Sequence, residues 1–568
     1  MRGILQKAIY LTAIIVLSTI SITWAAPPDA GQIMREQQPQ RQLPTQLPNP
    51  EVEKERAPLA DSGVSVAVKS FKFTGYEGLV TQGELQELVA DAVGKSLTFT
   101  ELQGLTSKIT AYLKGKGWFL ARAYLPKQDV SSGIIEIALI QGTSDGSLII
   151  KRDQKARVRE QTLRNIAEKA VSPGQALSEQ KLERSILLMN DLPGVTARAA
   201  LAPGTTPGST GIQVDVSEGP LFSGSIWGDN YGNRYTGEWR GNGMVSLNDP
   251  LRYGDQLSLL ATGAEGLTQG RIAYLFPLTS SGLKANLAYT PMHYKLIGDL
   301  SGLEMDGWSH TANVGLSYPL LRSRTINLTT TLGYEYKALT DSAFDVDIRD
   351  RKLHSGTLGL NGDNYDTFLG GGYTTVNVSA TTGTMHEDIA NISITNTEGS
   401  YTRFNVGLAR LQRLADRTTI NISYSGQFSF NNLDSSEKFN LGGPNGIRAY
   451  PVGEASGDEA NLFNADLRYD LPLPTTWGSL QLSGFYDAGQ INLHKQQWVN
   501  CVNTATNKNN YWLQGAGLGL MYAYKDIFSL KTSWAHVIGD NPGRSTTDMD
   551  SDGRDSSNRF WLQVMFFF

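Results

Sequence analysis

The chain of 568 residues holds a single cysteine, Cys501, so an intrachain disulfide cannot form and a cysteine-ligated metal cluster is excluded. Charge is scarce: Asp, Glu, Lys and Arg make up 18% of the residues, and a net charge of −5 argues against a nucleic-acid partner. After residue 25 no apolar stretch approaches the roughly 20 residues that a membrane-spanning helix needs. Nucleotide-binding loops are missing, the six histidines form no pair at metal-ligand spacing, and no nucleophile stands with a base. These absences point away from an enzyme, a metal or cofactor site and a helical membrane protein.

What the chain does have is organised in blocks. Met1 to Ala25 carries Arg2 and Lys7, then an apolar run from Ala8 to Ile22 and a small-residue end, which is the pattern of a cleaved secretory signal peptide. The mature protein is therefore expected in the periplasm, outside the cell, or in an outer membrane. Residues 26–62 are polar, Gln-rich and broken by proline, so they read as a linker in which only Ala30 to Gln38 can form a short helix.

From Val64 the text turns globular. Val64, Val66 and Val68 alternate as a strand, and Phe71 and Phe73 continue it with the apolar face shifted by one, as a bulge would do. Thr81 to Glu84 and Thr98 to Glu101 are capping boxes, each opening a helix with one apolar face; the first face takes in Leu85, Leu88, Val89 and Val93. Strands are expected at Phe119 to Leu125 and Gly133 to Gln141, so residues 63–142 read βααββ. The order recurs over 143–218, with strands at Ser147 to Lys151, Val195 to Leu201 and Gly211 to Val216, and helices at Lys155 to Lys169 and Ser178 to Asn190. Each unit should be a small sheet under two helices, with one strand edge left open.

Beyond Pro220 the period becomes two. Ile326, Leu332 and Tyr334 alternate with Asn327, Thr331 and Glu335; Phe463, Leu467 and Tyr469 alternate with Asn464, Asp466 and Arg468. One apolar and one wet face per strand, over 219–568, predicts a transmembrane β-barrel of about 16 antiparallel strands closed by the aromatic terminus Phe560 to Phe568. Within it, Leu441 to Pro451 holds too much glycine and proline for a helix or central strand, yet carries Arg448 beside Tyr450. On a later strand Phe485 and Asp487 fall on the wet face. A loop folded into the lumen would be pinned by an Arg448–Asp487 ion pair.

The run Ser435 to Tyr450, Ser-Ser-Glu-Lys-Phe-Asn-Leu-Gly-Gly-Pro-Asn-Gly-Ile-Arg-Ala-Tyr, followed by Gly457-Asp458, closely resembles the loop motif of the outer-membrane transporters of two-partner secretion. That resemblance implies that the βααββ units are periplasmic polypeptide-transport-associated (POTRA) domains and that the short helix plugs the barrel. Gly442, Gly443, Arg448, Tyr450, Phe485 and Asp487 would form the lumen lock. Val66, Val68, Phe71 and Phe73 would dock the N-terminal secretion domain of a large exoprotein, and the barrel would sit in outer-membrane lipid. The family carries Gly where this chain has Ala449, so a positive φ at that position would be strained. A barrel-assembly factor normally has more docking repeats, and a passive porin needs none. Adhesin, haemolysin and contact-dependent toxin all remain open as cargo.

Two further motifs fail on context. Gly142 to Gly146 fits Gly-x-Ser-x-Gly but lies between strands, so it reads as a turn. Asp548 to Gly553 opens like a calcium loop, but its twelfth position is Arg559, which makes it an acidic surface loop.

Overall fold

A computed structural model describes residues 27–38, 65–118, 120–140, 144–171, 177–203, 210–388, 396–499, 501, 502 and 504–568. The expected signal peptide and most of the linker lie outside these residues. Helix α1 (Ala30–Glu36) opens the described chain.

The first globular unit contains β1 (Ser65–Ala67), β2 (Ser70–Thr74), α2 (Gln82–Val89), β3 (Ser96–Thr98), α3 (Phe99–Gly115), β4 (Arg122–Tyr124) and β5 (Ile134–Ile140). β1 and β2 are not one bulged strand. β1 pairs with β3, whereas β2 runs parallel to β5, and the exchange happens where Val68 N donates to the Lys95 carbonyl and Lys69 N to that of Gly133. The shifted apolar parity marks this change of sheet. Both capping boxes form: Thr81 Oγ1 accepts from Glu84 N, and Thr98 Oγ1 from Glu101 N. Helix α2 ends at Val89, so Val93 falls beyond it and is exposed rather than on its apolar face.

The second unit repeats the plan with β6 (Ser144–Arg152), α4 (Glu160–Ala167), α5 (Glu179–Asn190), β7 (Val195–Pro203) and β8 (Thr210–Glu218). Ser144 to Gly146 already belong to β6, so they are strand rather than turn; Gly142 and Thr143 lie outside the described residues. Helix α4 starts later than the apolar pattern suggests because Arg157 N and Val158 N both donate to the buried Glu218 carboxylate, holding that backbone extended. The three-stranded sheets have the orders β2-β5-β4 and β6-β8-β7, leaving β2 and β6 at an edge. The second unit is bolted to the barrel: Asp191 accepts from two Arg322 nitrogens, Nη2 at 2.8 Å and Nε at 2.9 Å, and the Arg159 guanidinium lies over the Tyr253 ring at 4.0 Å.

From Phe222 to Phe567 sixteen antiparallel strands close into a barrel, the last (Asn558–Phe567) pairing with the first (Phe222–Asp229). Outward positions such as Leu332, Ile422 and Leu467 are exposed for lipid, while Lys337, Asp466 and Asp487 are buried inward. The wet face is not uniformly polar: Leu339, Leu353 and Met385 are buried in the lumen against α1, because a helix held there needs apolar contact. The first strand follows directly from β8, so that end of the barrel is the side on which the two small units lie. Connections there are short, as at 525–527, and the opposite end carries long loops such as 538–557.

Candidate functional site

Two inserts fill the upper lumen. Helix α1 is capped by Asp29, whose carboxylate accepts from Gln32 N at 2.9 Å. The same carboxylate meets Arg349 at 2.9 Å, Arg351 at 3.2 Å and the Ser435 hydroxyl at 2.7 Å. Arg351 is wholly buried and also pairs with Asp341 at 2.6 Å and Asp434 at 2.7 Å. One guanidinium thus joins α1, the barrel wall and the base of the inner loop. Gly31 permits this approach, since a methyl group there would lie 2.3 Å from Ser435 Oγ. Nearby, Glu437 is gripped by Lys337 at 2.6 Å and Arg403 at 2.8 Å.

The second insert is the loop Leu441 to Pro451. Its shape rests on Ile447 N donating to the Leu441 carbonyl at 2.7 Å and Gly443 N to that of Tyr450 at 3.1 Å. Gly443 has φ +108, and a methyl at Gly442 would fall 2.3 Å from the Pro451 carbonyl, so both glycines are required for different reasons. Leu441, Ile447, Ala449, Tyr450, Phe485 and Leu513 close into a buried cluster. The strain expected at Ala449 does not arise, because its φ is not positive; its methyl instead faces the bare backbone of Gly515.

Arg448 is held on every side. Its Nη2 reaches Asp487 Oδ1 at 2.7 Å, its Nε reaches Oδ2 at 2.9 Å, and its own backbone N donates to Oδ2 at 3.0 Å. Nη1 goes to Asp466 at 2.8 Å, and the guanidinium stacks 3.4 Å from the Phe485 ring centroid. Trp561, on the last strand, donates from Nε1 to the Arg448 carbonyl at 2.7 Å. Breaking such a buried pair from one side costs about 3–5 kcal/mol, since the other charge is left unanswered. Sequence reasoning missed Asp466 and Trp561 as partners; Asp466 stood on the wet face of its strand, and that parity was the available signal. Nothing in the sequence pointed to Asp29 or Arg351.

Four other expected residues stand elsewhere. Val68, Phe71 and Phe73 are buried in the core of the first unit and Val66 packs against it, so their side chains offer no docking pockets. In a sheet covered by helices on one face, the alternating apolar set must point to the helices. The Asp548 to Gly553 loop is not a simple surface loop either. Asp550 and Asp552 are buried and both pair with Arg559, the residue that spoils the calcium pattern. Cys501 is a free thiol.

Comparison with known proteins meets this architecture at both ends. The family described as haemolysin secretion/activation protein ShlB/FhaC/HecB matches residues 208–521, more than half of the chain. The chain belongs to this family. A POTRA domain of the ShlB type matches residues 66–142. The heme/hemopexin transporter protein HuxB of Haemophilus influenzae (strain 86-028NP) is 26% identical over 560 residues, covering 96% of each chain. The outer membrane transporter CdiB of Escherichia coli O6:K15:H31 (strain 536 / UPEC) is 25% identical over 413 residues, covering 69% of this chain and 67% of its own. The solved structure of CdiB from Escherichia coli superposes with a TM-score of 0.71 at 21% identity over 99% of this chain and 98% of that one. As a ShlB/FhaC/HecB protein, the chain is an outer-membrane transporter of two-partner secretion. Its barrel lies in the outer membrane and its POTRA units in the periplasm, and it exports a partner exoprotein.

Proposed function

We propose that the POTRA units choose the cargo and that the barrel conducts it without choosing. The observation that carries this reading is the pair of strand edges: β2 and β6 each end a three-stranded sheet, and among the described residues no further strand pairs with them. An unfolded exoprotein, led by its N-terminal secretion domain, adds there as a strand, its affinity coming from backbone hydrogen bonds. Since Val68, Phe71 and Phe73 are spent on the core, selectivity falls to the open sheet face, where Tyr124, Ile134 and Ile140 are exposed. The lumen lock and α1 then yield, and the chain passes outward. Folding at the cell surface drives it, in keeping with a sequence that has no nucleotide-binding loop.

Exchanging Val64 to Val216 for the corresponding region of a relative with a different exoprotein tests the assignment. The graft keeps Arg159, Arg184 and Asp191, which touch the barrel at Tyr253, Pro319 and Arg322. Export should switch to the donor's cargo. A chimera that exports only the original exoprotein moves recognition to the barrel.

A further inference from the structure

Beneath the tip of the inner loop, toward the periplasm, the lumen widens into a chamber of about 580 Å³. Much of its wall is amide and hydroxyl, from residues such as Asn377, Asn421 and Ser423, but its charge is one-sided. Arg35, Arg448, Arg468 and Lys531 line it as cations, and among the described residues Asp466 is the one lining carboxylate. Asp466 is already engaged by Arg448, which Asp487 neutralises as well. Arg35 spends its Nε on the Lys438 carbonyl. Among the described residues, neither the Arg468 nor the Lys531 side chain has an ion-pair or hydrogen-bond partner. Asp470, two residues nearer the mouth than Arg468, accepts from Gln481 instead.

The sheet register brings the two free cations to one sector of the wall. Arg468 stands opposite Ser483, Ser483 opposite Gly519, and Gly519 opposite Ser533, two residues from Lys531. The residues between are small, so the two long side chains look into open space rather than into neighbours. Both are only partly buried and carry no partner carboxylate, so an anion can reach them from the chamber and leave again. A conducting pore needs that balance, because a site on the path must bind well enough to admit a chain and loosely enough to release it.

We propose that Arg468 and Lys531 form an anion site below the loop that engages aspartate and glutamate side chains of the extended exoprotein as it enters. The neutral amide and hydroxyl walls serve its backbone without regard to sequence. The charge asymmetry stands by itself, whereas its use on cargo rests on the reading that the exoprotein passes through this lumen.

The test uses the full-length protein in planar bilayers, with hexaglutamate, hexaglutamine or hexalysine added on the POTRA side. Wild-type current should be blocked by hexaglutamate and by neither other peptide. In R468Q/K531Q the half-blocking concentration should rise about tenfold on removal of the two charges. The charge-preserving R468K/K531R should keep the block, which separates charge from fold, and heat-modifiable migration on gels reports an intact barrel for each variant. Equal block by all three peptides, or unchanged block in R468Q/K531Q, overturns the site. Because no exoprotein is present, this result is independent of whether the cargo takes this route; export of an exoprotein by the same variants reads that separately.

Discussion

The methyl group of Ala449 rests against the bare backbone of Gly515, so closely that a methyl at 515 would lie 2.5 Å from it. The extra carbon on the loop tip is matched by a missing one on the barrel wall. Gly515→Ala should therefore push the tip off its seat, at an overpacking cost of about 1–3 kcal/mol. Ala449→Gly alone should be well tolerated, and combined with Gly515→Ala it should recover most of the loss, with an interaction energy of about 0.5–3 kcal/mol. Secretion and protease resistance of the loop are the readouts. Additive effects of the two substitutions would show that the residues do not share the space.

Arg448→Ala should reduce secretion while the barrel still resists heat and detergent, because the strands close without the loop. Asp487 accepts three hydrogen bonds from Arg448 and Asp466 accepts one, so Asp487→Ala should be the more damaging carboxylate loss. A double-mutant cycle between Arg448 and Asp487 should return a coupling of about 1 kcal/mol or more. Zero coupling would mean that the pair is a bystander in loop retention.

Helix α1 should leave the lumen more readily once its anchor is cut. Asp29→Ala removes both the helix cap, worth about 1 kcal/mol, and a partner of Arg349 and Arg351. Single-channel conductance in planar bilayers should rise, in the same direction as on deleting Pro27 to Ser62, with secretion retained. If neither change alters conductance, α1 does not obstruct the pore.

In the first POTRA unit Glu84 is held at a pKa of about 2, chiefly because its carboxylate accepts from Thr81 N, with Lys116 and Tyr112 adding hydrogen bonds. A depressed acid stabilises the fold above its ordinary value near 4.5 and ceases to do so as pH falls through about 2. The protection of amides in α2 and α3 against exchange, relative to their intrinsic rate at each pH, should therefore fall between those values in the wild type. Glu84→Gln should flatten that dependence. An identical pH profile in the two proteins would remove Glu84 as its source.

The barrel was legible because a lipid face and a wet face must alternate, so residues such as Leu332, Leu467, Asp466 and Asp487 announce their sides from the chain alone. The capping boxes at Thr81 and Thr98 were legible for a similar reason, since donor and acceptor lie three residues apart. Even Arg448 and Asp487 could be matched, because one charge in a Gly-Pro loop and one on a wet strand face leave few other partners. The sequence could not decide that β1 and β2 belong to different sheets, because a parity shift looks the same for a bulge and for a change of partner. Nor could it bring Asp29 to Arg351 across 322 residues, or Trp561 to the Arg448 carbonyl across 113. Those meetings depend on how sixteen strands close and where two inserts settle inside them. Local pattern reaches a few residues along the chain, and only the closed barrel sets which distant side chains share its lumen.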